Sequence, residues 1–216
     1  MSSSQRFGLA VTVAPRQRRT LAEAAGARLE ERLAPLAGEL GAPFEIDEAG
    51  VGSAILNGPE RAFDLAVACT EAAWPTALRF ALVTAPPAGA AGRDEAVRAK
   101  AGKALARMDK RQAFRFDLPN RTDEELAVAD ALAVLHRTLV QEWTSARADA
   151  VRAYRRLGKQ AEVARQLGVS QQAVSQMLLG ARWRELNGAE AAMRAWLSPP
   201  TRTTLWPMRS RQPQQA

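Results

Sequence analysis

The sequence holds a single cysteine, Cys69, and a single histidine, His136, in 216 residues. One cysteine excludes an intramolecular disulfide and any zinc site built on cysteine, a usage that fits a reducing cytosol and a cytoplasmic protein. One histidine excludes paired-histidine metal sites and leaves Cys69 with no histidine base near it in sequence. Among its apolar neighbours Leu65, Val67 and Ala68, Cys69 therefore reads as a buried structural thiol, and His136 as a surface or interface residue of a long helix. No apolar run approaches the roughly 20 residues needed to span a bilayer, and the opening MSSSQRF has no signal-peptide layout, so a soluble protein without a membrane partner is expected. A glycine-rich phosphate cradle is missing too: Gly50-Val51-Gly52 lacks the further glycines and the helix start of a dinucleotide loop.

Acids are scarce in one half of the chain. From Thr144 onward they are Asp149, Glu162, Glu185 and Glu190, against Arg147, Arg152, Arg155, Arg156, Lys159, Arg165, Arg182, Arg184, Arg194, Arg202, Arg209 and Arg211. The formal net charge of +7 is thus concentrated toward the C-terminus. A basic stretch is often only a solvated surface. This one coincides with a motif that would use it for phosphate contacts.

That motif is Gln160 to Leu179, QAEVARQLGVSQQAVSQMLL. Its spacing is that of a helix-turn-helix, with Val163 and Ala164 in the first helix, Leu167, Gly168 and Val169 at the turn, and Val174, Met177 and Leu178 facing back from the second helix. Ala164 has to be small where the helices cross closely, and Gly168 stands where the chain turns through a left-handed conformation. Ser170 is a good N-cap for the second helix. The outward set is then Ser170, Gln171, Gln172, Ser175 and Gln176, uncharged and rich in amides that can pair with N6 and N7 of adenine. Lys159, Arg165, Arg182 and Arg184 are the candidate phosphate contacts. A plain helical hairpin of a small all-α domain is the competing reading.

Upstream, Phe7 to Val13 reads as a buried strand and Leu21 to Leu36 as an amphipathic helix whose last turn Pro35 disturbs. Phe44 to Asp47 and Gly52 to Leu56 read as a hairpin, and Pro59 as the first position of a helix that Pro75 stops. Ala77 to Thr84 is a further strand. Strand, helix, strand, strand, helix, strand is the ferredoxin-like order. A helix from Asp94 to Met108 and an edge strand from Ala113 to Leu118 follow. Thr122 and Glu125 then have capping-box spacing ahead of a long helix carrying Val128, Leu132, Leu135, Leu139 and Trp143 on one stripe, which joins the modules or forms a dimer seam. Trp183 to Leu197 is expected as a helix pair broken near Asn187 and Gly188, with no wing. The expected organisation is an α+β ferredoxin-like domain over 1–119, a long helix plus an all-α helix-turn-helix domain over 120–197, and a disordered basic tail over 198–216.

With these elements in order, the chain resembles the SatD family of bacterial proteins. The resemblance rests on the Trp143–Thr144 pair, the spacing from it to AEVARQLGVSQQAVSQML, the trailing Ala181 and Trp183, and RFALVTA (Arg79 to Ala85) before DEAVRAKAGKAL (Asp94 to Leu105). It implies an N-terminal domain similar to the palm of nucleotidyl cyclases, in which an acid ends the first strand and a Gly-Asp-Glu type turn follows in the hairpin. In catalytic palms such acids hold divalent metals. Here the first strand ends in Thr12, Val13 and Ala14, and Ala49, Gly50, Val51, Gly52 and Ser53 occupy the turn. Bringing Asp47 and Glu48 into register would flip the strand's side chains to the other face.

These features lead us to expect a sequence-specific binder of double-stranded DNA, a homodimeric bacterial transcriptional regulator whose N-terminal domain senses or dimerises without catalysis. No metal, cofactor or catalytic residue is expected, and no motif specifies a small-molecule effector. The rival readings are a nucleotide-binding or cyclase-like enzyme with a DNA-targeting module, and a protein-interaction module.

Overall fold

A computed structural model of the protein describes residues 6–15, 17, 19–85 and 92–198. It is an α+β structure. In chain order the elements are β1 (Phe7–Val13), α1 (Leu21–Ala25), α2 (Ala27–Leu33), a 3-10 segment (Ala34–Glu39), β2 (Leu40–Ile46), β3 (Gly52–Leu56), α3 (Ala62–Ala73), β4 (Leu78–Thr84), α4 (Arg93–Ala106) and β5 (Phe114–Asp117). A helical region completes it with α5 (Asp123–Gln141), α6 (Ser145–Leu157), α7 (Gln160–Leu167), α8 (Gln171–Gly180) and α9 (Trp183–Leu197). The expected tail lies outside the described residues apart from Ser198, as does most of the loop Pro86 to Gly92.

The strands form one mixed five-stranded sheet in the order β2-β3-β1-β4-β5. Pairing is antiparallel throughout except that β5 adds to the edge beside β4 in parallel, Phe80 opposite Phe114. Alternation along β1 divides the interior into two layers. Phe7, Leu9 and Val11 enter the larger core with α1, α2 and α3, whereas Ala10 turns to the opposite face, where Ala81 and Val83 meet Ala101, Ala104 and Leu105 of α4. Gly8 lets α4 approach this closely, because a Cβ there would run into the Val97 side chain.

The helices on the larger core depart from their sequence reading in instructive ways. The expected helix over Leu21 to Leu36 is interrupted at Gly26, whose φ of 53° ends α1, and Pro35 sits in the 3-10 segment instead of a last α turn. A capping box at Thr20 and Glu23 starts α1, and the box expected at Thr122 and Glu125 starts α5. Pro59 lies in the turn before α3, which begins at Ala62.

On α5 the buried stripe is Ala129, Ala133, His136 and Val140, one residue along from the expected one, and Val128 and Leu135 are 70% and 62% exposed. The reason is volume. The larger core is already filled beside β5 by Phe114 in contact with both Phe63 and Phe116, so α5 approaches with alanines. The break expected near Asn187 and Gly188 is absent: α9 runs through, both residues being exposed, while Leu186, Glu190, Met193 and Leu197 bury one stripe at helical spacing.

Two cores share these last helices. Met193 and Leu197 join Ala129 and Ala133 in the sheet-side core, while Val140, Trp143 and Leu186 belong with α6, α7 and α8. Trp74, at the end of α3, donates its indole N–H to the Val140 carbonyl at 3.1 Å and so ties the sheet layer to the point where α5 enters the helical head. No helix among the described residues is long and apolar enough to cross a membrane.

Candidate nucleic-acid interface

Helices α6, α7 and α8 pack around Val151, Val163, Ala164, Val174 and Leu178, all buried. Trp143 closes this core, and its indole N–H donates to the Ala181 carbonyl at 3.0 Å, fixing the end of α8. The turn between α7 and α8 follows from three local requirements. Gly168 adopts φ 66° and ψ 32°, a left-handed conformation, and its N–H returns to the Ala164 carbonyl. Val169 bridges, and Ser170 caps α8, its Oγ accepting from the Ala173 N–H at 3.1 Å. Replacing Ser170 with alanine removes that acceptor and is expected to lower stability by about 1 kcal/mol, read as a reduced urea midpoint at unchanged slope.

The five sequence-predicted base-contact residues lie at the start and along one side of α8. Ser170, Gln171, Gln172, Ser175 and Gln176 are all exposed. The last four fall at i, i+1, i+4 and i+5, which places them on one face over a turn and a half. Leu179, the last residue of the motif and one without an expected contact, extends that face and is 61% exposed, an apolar group of the kind that meets a thymine methyl. Its signal was the spacing of four from Ser175.

The predicted phosphate contacts are exposed as well. Arg165 lies on α7, Arg182 in the junction between α8 and α9 with φ 57°, and Arg184 in the first turn of α9. None of the three guanidinium groups has a hydrogen bond or ion pair with another described residue. Lys159 stands ahead of α7 and pairs with Glu162 at 3.4 Å. Arg147, expected only as part of the general basic excess, also lies at this end of the head. Its guanidinium lies against Gly180, within 3.0 Å of where a Cβ would stand, so that glycine makes room for a cation beside the end of α8.

Much of the remaining basic charge of this region is paired with carboxylates. Arg155 is held by Glu71 at 2.5 Å and by both carboxylate oxygens of Glu190, at 2.6 and 2.9 Å, and lies over the Trp183 ring at 4.7 Å. Arg32 meets the other oxygen of Glu71 at 2.5 Å. Arg156 bonds Glu31, and Arg194 bonds Asp64. Among the described residues, the cations of this region without a carboxylate partner are therefore Arg147, Arg165, Arg182 and Arg184, fewer than the composition implies.

His136, read from sequence as a surface or interface residue, is buried: its Nε2 sits 3.1 Å from Glu190 Oε1, and its ring meets Phe63 edge-on. The sequence offered no partner because Glu190 lies 54 residues away. Burial alone would raise the Glu190 carboxyl. Hydrogen bonds from His136 and Arg155 outweigh it and hold the group below the ordinary carboxylate value. For Cys69 burial is unopposed and pushes the thiol up to about 12, so it stays protonated and is no nucleophile at neutral pH. Compared with known proteins, the chain matches no protein-family model and no curated protein.

Proposed function

We propose that this chain binds double-stranded DNA in a sequence-specific way through α8, as a bacterial transcriptional regulator of the kind the SatD resemblance implies. The observation that carries the reading is the exposed, uncharged face of Gln171, Gln172, Ser175 and Gln176 on a helix capped by Ser170 and set across α7 at Ala164. A helix whose outer face is all amide and hydroxyl gains little from water exposure alone but matches the donor and acceptor pattern of base edges in the major groove. Cations flank it at Arg165, Arg182 and Arg184, where they would hold phosphates.

The N-terminal layer then senses or dimerises. Its order β4-β1-β3-β2, antiparallel at every step, supports a ferredoxin-like domain with β5 appended. Asp47, the acid nearest the palm position, is occupied in its own turn, where Oδ1 accepts from the Val51 N–H at 2.8 Å. Val128 and Leu135, exposed one heptad apart on α5, are the apolar surface on which a second copy would be placed.

Selection of bound sequences from a random duplex pool tests the reading. Enrichment of two half-sites about one helical turn, roughly 34 Å, apart is expected of a dimer. Recovery of unselected sequence, or no retention at low salt, removes the proposal. Arg165→Ala is expected to weaken all duplexes alike and to flatten the dependence of log affinity on log salt by about one unit. A loss confined to the preferred sequence would instead place Arg165 on a base.

A further inference from the structure

Two pairs of arginines face one another where the helical head meets the sheet layer. Arg28 and Arg32 stand one turn apart on α2, Arg152 and Arg156 one turn apart on α6, and together they line a cleft of about 200 Å³. Guanidinium groups repel when brought together, and each usually faces its own carboxylate. Here the compensation is thin. Arg28 has only backbone carbonyls, those of Ala24 at 3.0 Å and Ala25 at 3.5 Å. Arg32 shares Glu71 with Arg155, and its Nε is buried without a hydrogen-bond partner. Arg152 and Arg156 have as their carboxylates Asp149 at 2.6 Å and Glu31 at 3.0 Å, which are 53% and 59% exposed; their other contacts are neutral acceptors, the Glu71 carbonyl at 3.1 Å and the Gln166 side-chain oxygen at 2.7 Å. Exposed partners of this kind hold loosely and exchange readily for a better one.

We propose that this cleft is a binding site for a compact phosphate-bearing anion, with Arg28 and Arg156 as its principal ligands and Arg32 and Arg152 supporting them. A guanidinium offers parallel N–H donors that match two oxygens of a phosphate, and opposed pairs can take oxygens from two sides. The cleft has room for one or two phosphate groups. On binding, the anion displaces Glu31 and Asp149 into water and takes their place beside Arg28, Arg152 and Arg156, while Arg32 keeps Glu71. Because α2 belongs to the sheet layer and α6 to the head, with Gln166 and Leu167 of α7 completing the wall, a bound anion pins the helix-turn-helix against the domain beneath it. The site stands independently of DNA recognition. Its use as an effector site rests on the proposed function, since an anion that fixes the head would alter affinity for DNA, and DNA would alter affinity for the anion by the same factor.

Calorimetry on the full chain without DNA, with inorganic phosphate and with pyrophosphate as probes in low-chloride buffer, tests the site. Saturable binding is expected, tighter for pyrophosphate. Arg28→Ala combined with Arg156→Ala should weaken it by about tenfold or more, as expected for losing two charge-assisted contacts. Arg165→Ala, outside the cleft, should leave it unchanged while weakening duplex binding. Circular dichroism establishes that each variant is folded, and Arg28→Lys with Arg156→Lys, which keeps the charge but not the fork, should also lose affinity. Absence of saturable heat, equal binding by the double alanine variant, or equal loss with Arg165→Ala would overturn the proposal. Duplex affinity that depends on Arg28 and Arg156 while neither small anion binds would overturn it in favour of a DNA phosphate contact. Anion binding that persists without any duplex binding would instead sink the proposed function and leave this site intact.

Discussion

Glu190→Ala is expected to lower the free energy of unfolding by about 3–5 kcal/mol, enough to consume much of the stability of an ordinary domain. The carboxylate is 2% exposed and accepts hydrogen bonds from Arg155 through both oxygens, and Oε1 also faces His136. Truncation leaves the Arg155 guanidinium buried with half its compensation and His136 without a polar partner. The loss should come mostly from that stranded charge. Replacing the pair together, Arg155→Met with Glu190→Leu, is then expected to recover part of it, because the stranded charge is gone and Glu71 keeps Arg32, while Glu71 Oε1 and His136 each lose a partner. Urea denaturation of the three proteins decides the matter. A loss below about 1 kcal/mol for Glu190→Ala would mean that water reaches the site and the network is a surface one. The pH dependence has a definite sign. The Glu190 carboxyl is depressed in the folded state, so its contribution is fully present above the unfolded value near 4.3 and declines as pH falls through the lower folded value. Glu190→Gln should remove that part of the acid sensitivity.

This network shows where sequence reading stops. Arg155 lies 84 residues from Glu71 and 35 from Glu190, and no local period relates them. On its own helix Arg155 looks like the polar side of an amphipathic segment, so its charge was counted toward DNA. The same holds for Arg152, Arg156 and Arg194, whose partners Glu71, Glu31 and Asp64 belong to α2 and α3. Net charge is additive along a chain. Its accessibility depends on packing, and packing is what turned α6 toward the sheet layer.

Where the requirement was local, the residues sufficed. A left-handed glycine at Gly168, a hydroxyl cap at Ser170, a small residue at Ala164 and apolar returns at Val174 and Leu178 are demands that α7 and α8 make on one another within a short span, and each residue sits where its chemistry is needed. On α5 the demand was not local. Two candidate stripes one residue apart were available, and the larger side chains of Val128 and Leu135 pointed to the wrong one. Space left by three phenylalanines from α3 and β5 selected the alanine stripe. Hydropathy ranks residues by burial preference, whereas a helix beside a filled core is chosen by volume. The α+β class survived such errors because strand alternation and strand order do not depend on which face of α5 is inward.

Gln171→Ala combined with Gln172→Ala should cost on the order of a hundredfold in affinity for the selected duplex and almost nothing for unrelated sequence. Both side chains are exposed in the first turn of α8. Neither is needed for packing, which Val174 and Leu178 supply, and alanine is the better helix former, so the head stays folded. The substitution removes no charge. The phosphate term, and with it the slope of log affinity against log salt, should therefore be the same in both proteins. What is lost is discrimination, about 1–3 kcal/mol for each amide that pairs with a base edge. Titrating selected and scrambled duplexes at two salt concentrations separates these quantities. Convergence of the two affinities in the variant at an unchanged salt slope identifies the amides as base readers. A parallel fall on both duplexes would make them backbone contacts, and unchanged affinity on both would remove α8 as the reading element. Opposite behaviour is expected of Arg165→Ala, which lowers both affinities and the slope. The two variants together divide the interface into a part that reads and a part that holds.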